Sequence, residues 1–212
     1  MKPFFKEGST VLFTGDSVTD FDRRRENFYD LGNGYPNKFA TIYKTLFTNQ
    51  NVTFLNRGVS GDTSALLLER YETNLKEVKP DFVSILIGIN DTWRRYDSDL
   101  YTSPEQFEEN YRTFLSNIKK DFPDTKILMI EPYLLEGGPD KVHFREDLNP
   151  KIDKVRLLAK EYADYYVPLD GILHQYGTTL ITLNELAEDG IHPTDLGHAI
   201  IAETLLKTLE II

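Results

Sequence analysis

Phe82-Val83-Ser84-Ile85-Leu86-Ile87 runs directly into Gly88-Ile89-Asn90-Asp91. Only Ser84 interrupts the apolar run, so no polar face alternates with an apolar one. A strand of this kind is buried on both sides, as in the middle of a parallel sheet. The glycine and the Asn-Asp pair then mark its end. Similar short runs lie on either side: Thr10–Thr14 (TVLFT) between Gly8 and Gly15, Val52–Leu55, Lys126–Ile130 (KILMI) and Tyr166–Leu169. Helical periodicity fills the gaps between them.

Tyr35–Thr48 carries Phe39, Ile42, Tyr43, Leu46 and Phe47 at helical spacing. Ser64–Val78 places Leu67, Leu68, Tyr71 and Leu75 on one side, with Ser64 as the expected cap and Pro80 as the stop. Ser103-Pro104-Glu105-Gln106 opens a helix that reaches about Asp121. A further helix is expected from about Pro150 to Ala163, and a last one from Thr194 to about Leu209. The segment from Glu131 to Asp147, with Pro132, Gly137, Gly138 and Pro139, reads as a loop long enough to border a site. Strands alternating with helices imply a parallel sheet covered on both faces by right-handed crossovers. Ligands in such sheets bind at the carboxyl ends of the strands.

The 212 residues suit a single domain, 1–212. A net charge of −10 disfavours nucleic acid and anionic membranes as partners, although a small basic cleft within the acidic surface stays open. No cysteine is present, which excludes disulfides, thiolate metal sites and a cysteine nucleophile. The opening MKPFFKEGST lacks the apolar centre of a signal peptide, and no apolar run is long enough to span a bilayer. A cytoplasmic location is expected.

Four segments carry chemistry. Ser17, in Gly15-Asp16-Ser17, follows the first strand; a serine hydroxyl attacks only when a base takes its proton. The same tripeptide also suits a plain turn. Gly61, in Ser60-Gly61-Asp62-Thr63, can aim its N–H into a cavity, or simply close a loop. The Asn90 amide can donate to an oxyanion, or cap the strand end. For the base, Asp-x-x-His occurs three times: Asp140/His143, Asp189/His192 and Asp195/His198. The first lies in the Gly/Pro-rich loop. The third falls inside the last helix, where its spacing suits a local surface pair and His198 suits a packed or capping role. Asp189/His192 lies just before that helix, where the carboxylate can hold one ring nitrogen while the other faces Ser17.

These segments, in this order, resemble the four blocks of the SGNH (GDSL-type) hydrolase superfamily. The resemblance covers nearly the whole chain, including Thr19-Asp20 after the serine and Gly197-His198 after Asp189-Gly190-Ile191-His192-Pro193. Val18 stands where isoleucine or leucine is commoner, a chemically neutral change. The resemblance implies Ser17 as nucleophile, His192 as base and Asp189 as its orienter. It implies the N–H groups of Ser17 and Gly61 and the Asn90 side chain as oxyanion donors. Asn56-Arg57-Gly58-Val59-Ser60-Gly61 and Ile87 to Asp97 are further similar to the bacterial cytoplasmic acetylxylan-esterase branch, whose members deacetylate xylo-oligosaccharides as homo-oligomers.

The expected fold is a three-layer α/β/α sandwich, flavodoxin-like, with a five-stranded parallel sheet in the order 2-1-3-4-5. The expected function is carboxylic-ester hydrolysis through an acyl-enzyme, on an acetylated sugar, without cofactor or metal and without nucleic-acid or membrane partners. Asp16 and Trp93 are expected near the substrate, Trp93 either stacking on a sugar or anchoring packing. Arg94 and Arg95 suit ion pairs or an interface, and Arg23-Arg24-Arg25 a solvated face or a rim. A broad acyl-esterase, lysophospholipase or thioesterase on the same machinery is the alternative. A non-catalytic carbohydrate-binding domain and a metal-dependent phosphoesterase built on Asp16, Asn90 and His192 are the readings from other classes.

Overall fold

A computed structural model describes residues 2–135, 141 and 143–212. Five strands, β1 (Thr10–Gly15), β2 (Thr53–Asn56), β3 (Phe82–Leu86), β4 (Lys126–Ile130) and β5 (Tyr165–Val167), form one sheet in the order β2-β1-β3-β4-β5. Every pairing is parallel. This is the expected order. The fifth strand is shorter than Tyr166–Leu169 and starts one residue earlier, because Leu169 already begins a helix.

The absence of alternation in β3 has a direct cause. Phe82 and Leu86 face one apolar layer and Val83 and Ile85 the other. The first layer adds α2 (Tyr35–Leu46), α7 (Leu169–Thr179) and α9 (Asp195–Thr208) through Phe39, Tyr43, Leu173, Ile201 and Leu205. The second adds α3 (Ser64–Glu69), α5 (Pro104–Asp121) and α6 (Phe144–Tyr162) through Leu67, Phe107, Phe114 and Leu158. Each such buried side chain stabilises the fold by about 1.5–3 kcal/mol relative to exposure. Among the described residues no helix is long and apolar enough to cross a membrane.

The register sets the height of the site. Gly15 pairs with Leu86, Leu86 with Ile130, and Phe13 with Asn56. Strands β1, β3 and β4 therefore end at one level, with β2 ending two residues short of it, and the turns after them share an edge. Gly15 is required here: at φ 147° an added Cβ would lie 2.0 Å from the Leu86 carbonyl oxygen.

Local signals hold where side chains are free to cap. Ser103 Oγ accepts from the Gln106 N–H (3.1 Å) and Thr194 Oγ1 from the Gly197 N–H (3.2 Å). At α3 the cap is Thr63 rather than Ser64, because Ser64 is buried and donates both its N–H (2.9 Å) and its Oγ–H (2.6 Å) to Asp91. That helix also stops at Glu69 and gives way to a π-helical turn over Glu72–Lys76. Pro150 lies inside α6 rather than at its start. Phe144 and Leu148 pack with Ile89 and Ile191 in a third apolar cluster, which draws the helix out to Phe144 despite the missing N–H at Pro150.

His198 and Asp195 do not pair. Asp195 meets Lys38 at the surface (3.1 Å), while His198 is buried and its Nδ1 accepts from the Tyr35 N–H (3.1 Å). His198 Nε2 is buried with no hydrogen-bond partner among the described residues. Burial pushes the His198 pKa down to about 4. A ring that protonates more readily when unfolded adds stability that is complete above pH 6.5 and is lost as the pH falls toward 4, by roughly 3 kcal/mol. Urea midpoints at pH 7 and pH 4.5 test this: the loss on acidification is expected to be smaller in His198→Asn, which keeps an acceptor for Tyr35. Equal losses would remove His198 as a source of acid lability.

Candidate active site

At the end of β1 the chain turns into α1 (Ser17–Asp20), with Asp16 as the cap; its Oδ1 accepts from the Val18 N–H at 3.0 Å. This turn presents Ser17 Oγ 2.9 Å from His192 Nε2. The other ring nitrogen, Nδ1, lies 2.8 Å from Asp189 Oδ2. Asp189 Oδ1 accepts from the N–H groups of Ile191 (2.9 Å) and His192 (2.7 Å). With a carboxylate on Nδ1, the neutral ring carries its proton there, leaving Nε2 as the acceptor for the serine hydroxyl. The loop is braced on its inner side by the Tyr133 hydroxyl, which donates to the Ile191 carbonyl (2.6 Å), and by the Leu135 N–H, which donates to the Gly190 carbonyl (2.8 Å). The described start of the 131–147 segment thus supports the imidazole from behind. Asp140 lies outside the described residues, and His143 directly precedes α6.

The donors lie across the same edge. Gly61 has φ 88°, and its N–H makes no hydrogen bond within the described residues. Asn90 begins neither a turn nor a loop: it lies in the first turn of α4 (Ile89–Asp97), and Trp93 is on that helix too. Asn90 Nδ2 donates one hydrogen to the Asp62 carbonyl (3.0 Å), which leaves its second hydrogen for a ligand. The same bond ties the Asn90 amide to the residue after Gly61. Behind them, buried Asp91 holds Ser64, so α4 and α3 are fixed to each other. Ser17, at the first position of α1, has no intrahelical acceptor for its own N–H.

The carboxylates differ by surroundings. Burial alone would raise the Asp189 pKa, but the His192 ring and the two amides outweigh it and hold it well below the usual range. The hydrogen bond to Asp189 pushes the His192 pKa up against partial burial. Asp16 is pushed up to about 7 by burial, opposed by the Val18 amide and the His192 charge. Expected beside the substrate, Asp16 is instead buried beneath the nucleophile turn. Trp93 is half-buried, its ring 5.9 Å from that of His192 and 6.4 Å from Phe144. The Lys141 ammonium lies 5.4 Å from the Trp93 ring centre and donates to the Asp189 carbonyl (3.1 Å).

Arg95 is turned away to Asp147 (2.9 Å) and Tyr101. Arg94 is at the site: its Nη2 lies 3.5 Å from Asn90 Oδ1 and 3.8 Å from the point where a Gly61 side chain would start. Two further residues belong here without a clear signal in the sequence. Asp20 Oδ2 accepts from the Ser60 N–H (2.9 Å) and Oγ–H (2.8 Å), and Asn56 donates to Thr19 and Leu31 while accepting from Gly58. Both lie within blocks quoted for the resemblance, yet their partners are distant in sequence. The run Arg23-Arg24-Arg25 is not a uniform solvated face: the Arg23 side chain is nearly buried. Among the described residues no three His, Asp or Glu side chains converge as metal ligands.

A hydroxyl, an imidazole and a carboxylate in one hydrogen-bonded line are the parts of a serine hydrolase. The GDSL-like lipase/acylhydrolase family model matches residues 13–200. The acetylxylan esterase of Geobacillus stearothermophilus is 31% identical over 208 residues, covering 95% of this chain and 94% of that protein. Thioesterase 1/protease 1/lysophospholipase L1 of Escherichia coli K12 is 26% identical, covering 95% and 83%. The crystal structure of Axe2, the Geobacillus acetylxylan esterase, superposes with a TM-score of 0.86 at 29% identity, covering 96% and 94%. An Axe2 variant with serine replaced by alanine is described as a catalytic mutant. The chain belongs to the GDSL-like lipase/acylhydrolase family and is a serine ester hydrolase.

The raised His192 pKa has a kinetic consequence. The ring must be neutral to accept a proton, so kcat/KM should rise with pH along a limb centred above 6.5. In Asp189→Asn the main cause of the shift is gone; the limb should move to lower pH, and the plateau should drop by roughly 10²- to 10⁴-fold. A pH–rate profile of both proteins measures this, and an unmoved limb would separate Asp189 from the basicity of His192.

Proposed function

We propose that this enzyme removes acetyl groups from acetylated sugars, with xylo-oligosaccharides as the model substrate. The observation that carries the reading is the 2.9 Å contact between Ser17 Oγ and His192 Nε2 in a chain 31% identical to an acetylxylan esterase over 95% of its length. In the proposed cycle, Ser17 Oγ bonds to the ester carbonyl carbon as its proton passes to His192 Nε2. Negative charge develops on the carbonyl oxygen and is met by the N–H groups of Ser17 and Gly61 and the free Asn90 amide hydrogen. The C–O bond to the sugar then breaks, and the leaving alkoxide takes the proton from His192. Water repeats the sequence on the acyl-enzyme, giving acetate and restoring Ser17. In this reading the enzyme works in the cytoplasm as a homo-oligomer, as implied by the acetylxylan-esterase resemblance.

The second reading is a broader acyl hydrolase, favoured by the 26% identity to the Escherichia coli thioesterase/lysophospholipase. Nitrophenyl esters of increasing chain length, alongside acetate release from acetylated xylo-oligosaccharides, discriminate the two. A maximum at acetyl with turnover of the oligosaccharides supports deacetylation; a maximum at long chains overturns it.

For the machinery itself, Asn90→Ala should lower kcat by roughly 10²–10³. Ser17→Ala should cost more, because the nucleophile and base act as a unit. His192→Ala should be inactive while His198→Ala turns over nitrophenyl acetate; the reverse pattern would reassign the base.

A further inference from the structure

Beside the oxyanion loop lies an open cleft of about 500 Å³, lined by Arg23, Arg25, Arg57, Arg70, Phe28 and Val59 among others. Four guanidinium groups converge there in a protein whose net charge is −10. One carboxylate, Glu26, also lines the cleft, and two further carboxylates pair with the arginines. Arg23 and Arg25 share one carboxylate: Arg23 Nε lies 3.3 Å from Asp20 Oδ1 without hydrogen-bond geometry, and Arg25 Nη2 lies 2.6 Å from Oδ2. Arg70 meets Asp62 at 2.6 Å.

Among the described residues Arg57 has no carboxylate partner. It is 8% exposed, and its Nη1 donates to the carbonyls of Asn56 (2.8 Å) and Phe28 (3.2 Å). Its Nη2 is buried with no hydrogen-bond partner among the described residues. Such a donor carries the cost of lost hydration until an acceptor arrives. Burial and then the nearby Arg23 charge push the Arg57 pKa down, as expected of a desolvated cation beside a second one.

Two features select the anion. Phe28 lines the cleft with Arg57 stacked 4.1 Å from its ring centre, and Phe28 and its neighbour Tyr29 are 52% and 68% exposed. Exposed aromatic faces suit the C–H face of a sugar ring and add nothing to the capture of a bare inorganic anion. The cleft also adjoins the reaction site. The Val59 N–H donates to the Gly15 carbonyl (2.9 Å), Arg23 Nη2 donates to the Gly58 carbonyl (2.7 Å), and Asp20 holds Ser60 next to Gly61.

We propose that this cleft binds the carboxylate of an acidic sugar, so that the preferred substrates are acetylated oligosaccharides carrying a uronic acid near the scissile ester. The inference deepens the acetyl-sugar reading and rests on it.

Calorimetry on the Ser17→Ala protein tests it with three probes: glucuronic-acid-substituted xylotriose, unsubstituted xylotriose and inorganic phosphate. The acidic oligosaccharide should bind on the order of tenfold tighter than the neutral one, the advantage of a charge-assisted pair. Arg57→Gln, which keeps an amide donor for the two carbonyls, should abolish that advantage, and so should Arg25→Gln at the half-exposed rim. Equal affinities, no binding of either sugar, or an advantage that survives both substitutions would overturn the proposal. Arg57-dependent binding of phosphate with no gain for the acidic sugar would also overturn it, assigning the cleft to a free anion. Acetate release by the unmodified enzyme from acetylated forms of both oligosaccharides is read separately. No release from either sinks the acetyl-sugar reading, while the binding series still decides what the cleft takes.

Discussion

Gly15 and Leu86 lie side by side at the ends of two adjacent parallel strands, and their contact fixes the position of everything that reacts. The two chains approach so closely that a side chain at Gly15 has no room. From this level Ser17 is reached in two residues and Asn90 in four. The β2 turn joins them because Phe13 pairs with Asn56 and the Arg57 N–H continues the ladder to the Phe13 carbonyl. The imidazole arrives from the far end of the chain, on a loop braced by Tyr133 and Leu135. A slip of one residue between β1 and β3 would exchange the two apolar layers and separate the hydroxyl from its donors.

Around this frame the acidic residues follow different rules according to their hydrogen bonds. Asp189 is partly exposed, receives three donors and stays ionised, which is what a carboxylate orienting an imidazole needs. Asp62 and Asp91 are buried and pushed up to about 6, because burial outweighs the partners each has. Their work is mechanical: Asp91 joins α4 to α3, and the Asp62 carbonyl sets the Asn90 amide. The Asn90 amide is thus held in place by the protein's own hydrogen bonds.

The sequence disclosed the parts whose physics is local. Apolar runs without alternation read as buried parallel strands, and Ser103-Pro104 and Thr194 read as helix starts because their caps have no competing partner. It misled where a residue serves a distant one. Ser64 reads as a cap until Asp91 claims it, and Pro150 reads as a helix start until Phe144 and Leu148 are buried against Ile89 and Ile191. For the Asn90 segment, a strand-ending turn is the alternative to a donor role, and the residue in fact lies in the first turn of a helix. Three Asp-x-x-His pairs were equivalent as spacing; only position favoured Asp189/His192, and Asp195 and His198 take separate partners, Lys38 and the Tyr35 amide. The ion-pair role expected of Arg94 holds locally, with Asp97, while the roles of Asp20 and Asn56 were not legible, since they depend on contacts between segments that no local pattern relates.

Asp16, enclosed under the nucleophile turn, holds its proton up to about pH 7, and a positive His192 loosens that hold. When the imidazole gains a proton, the neighbouring carboxyl is drawn toward release of its own. The two groups therefore favour opposite charges: a protonated ring stabilises an ionised carboxylate beside it, and a neutral ring leaves burial free to keep that carboxyl uncharged.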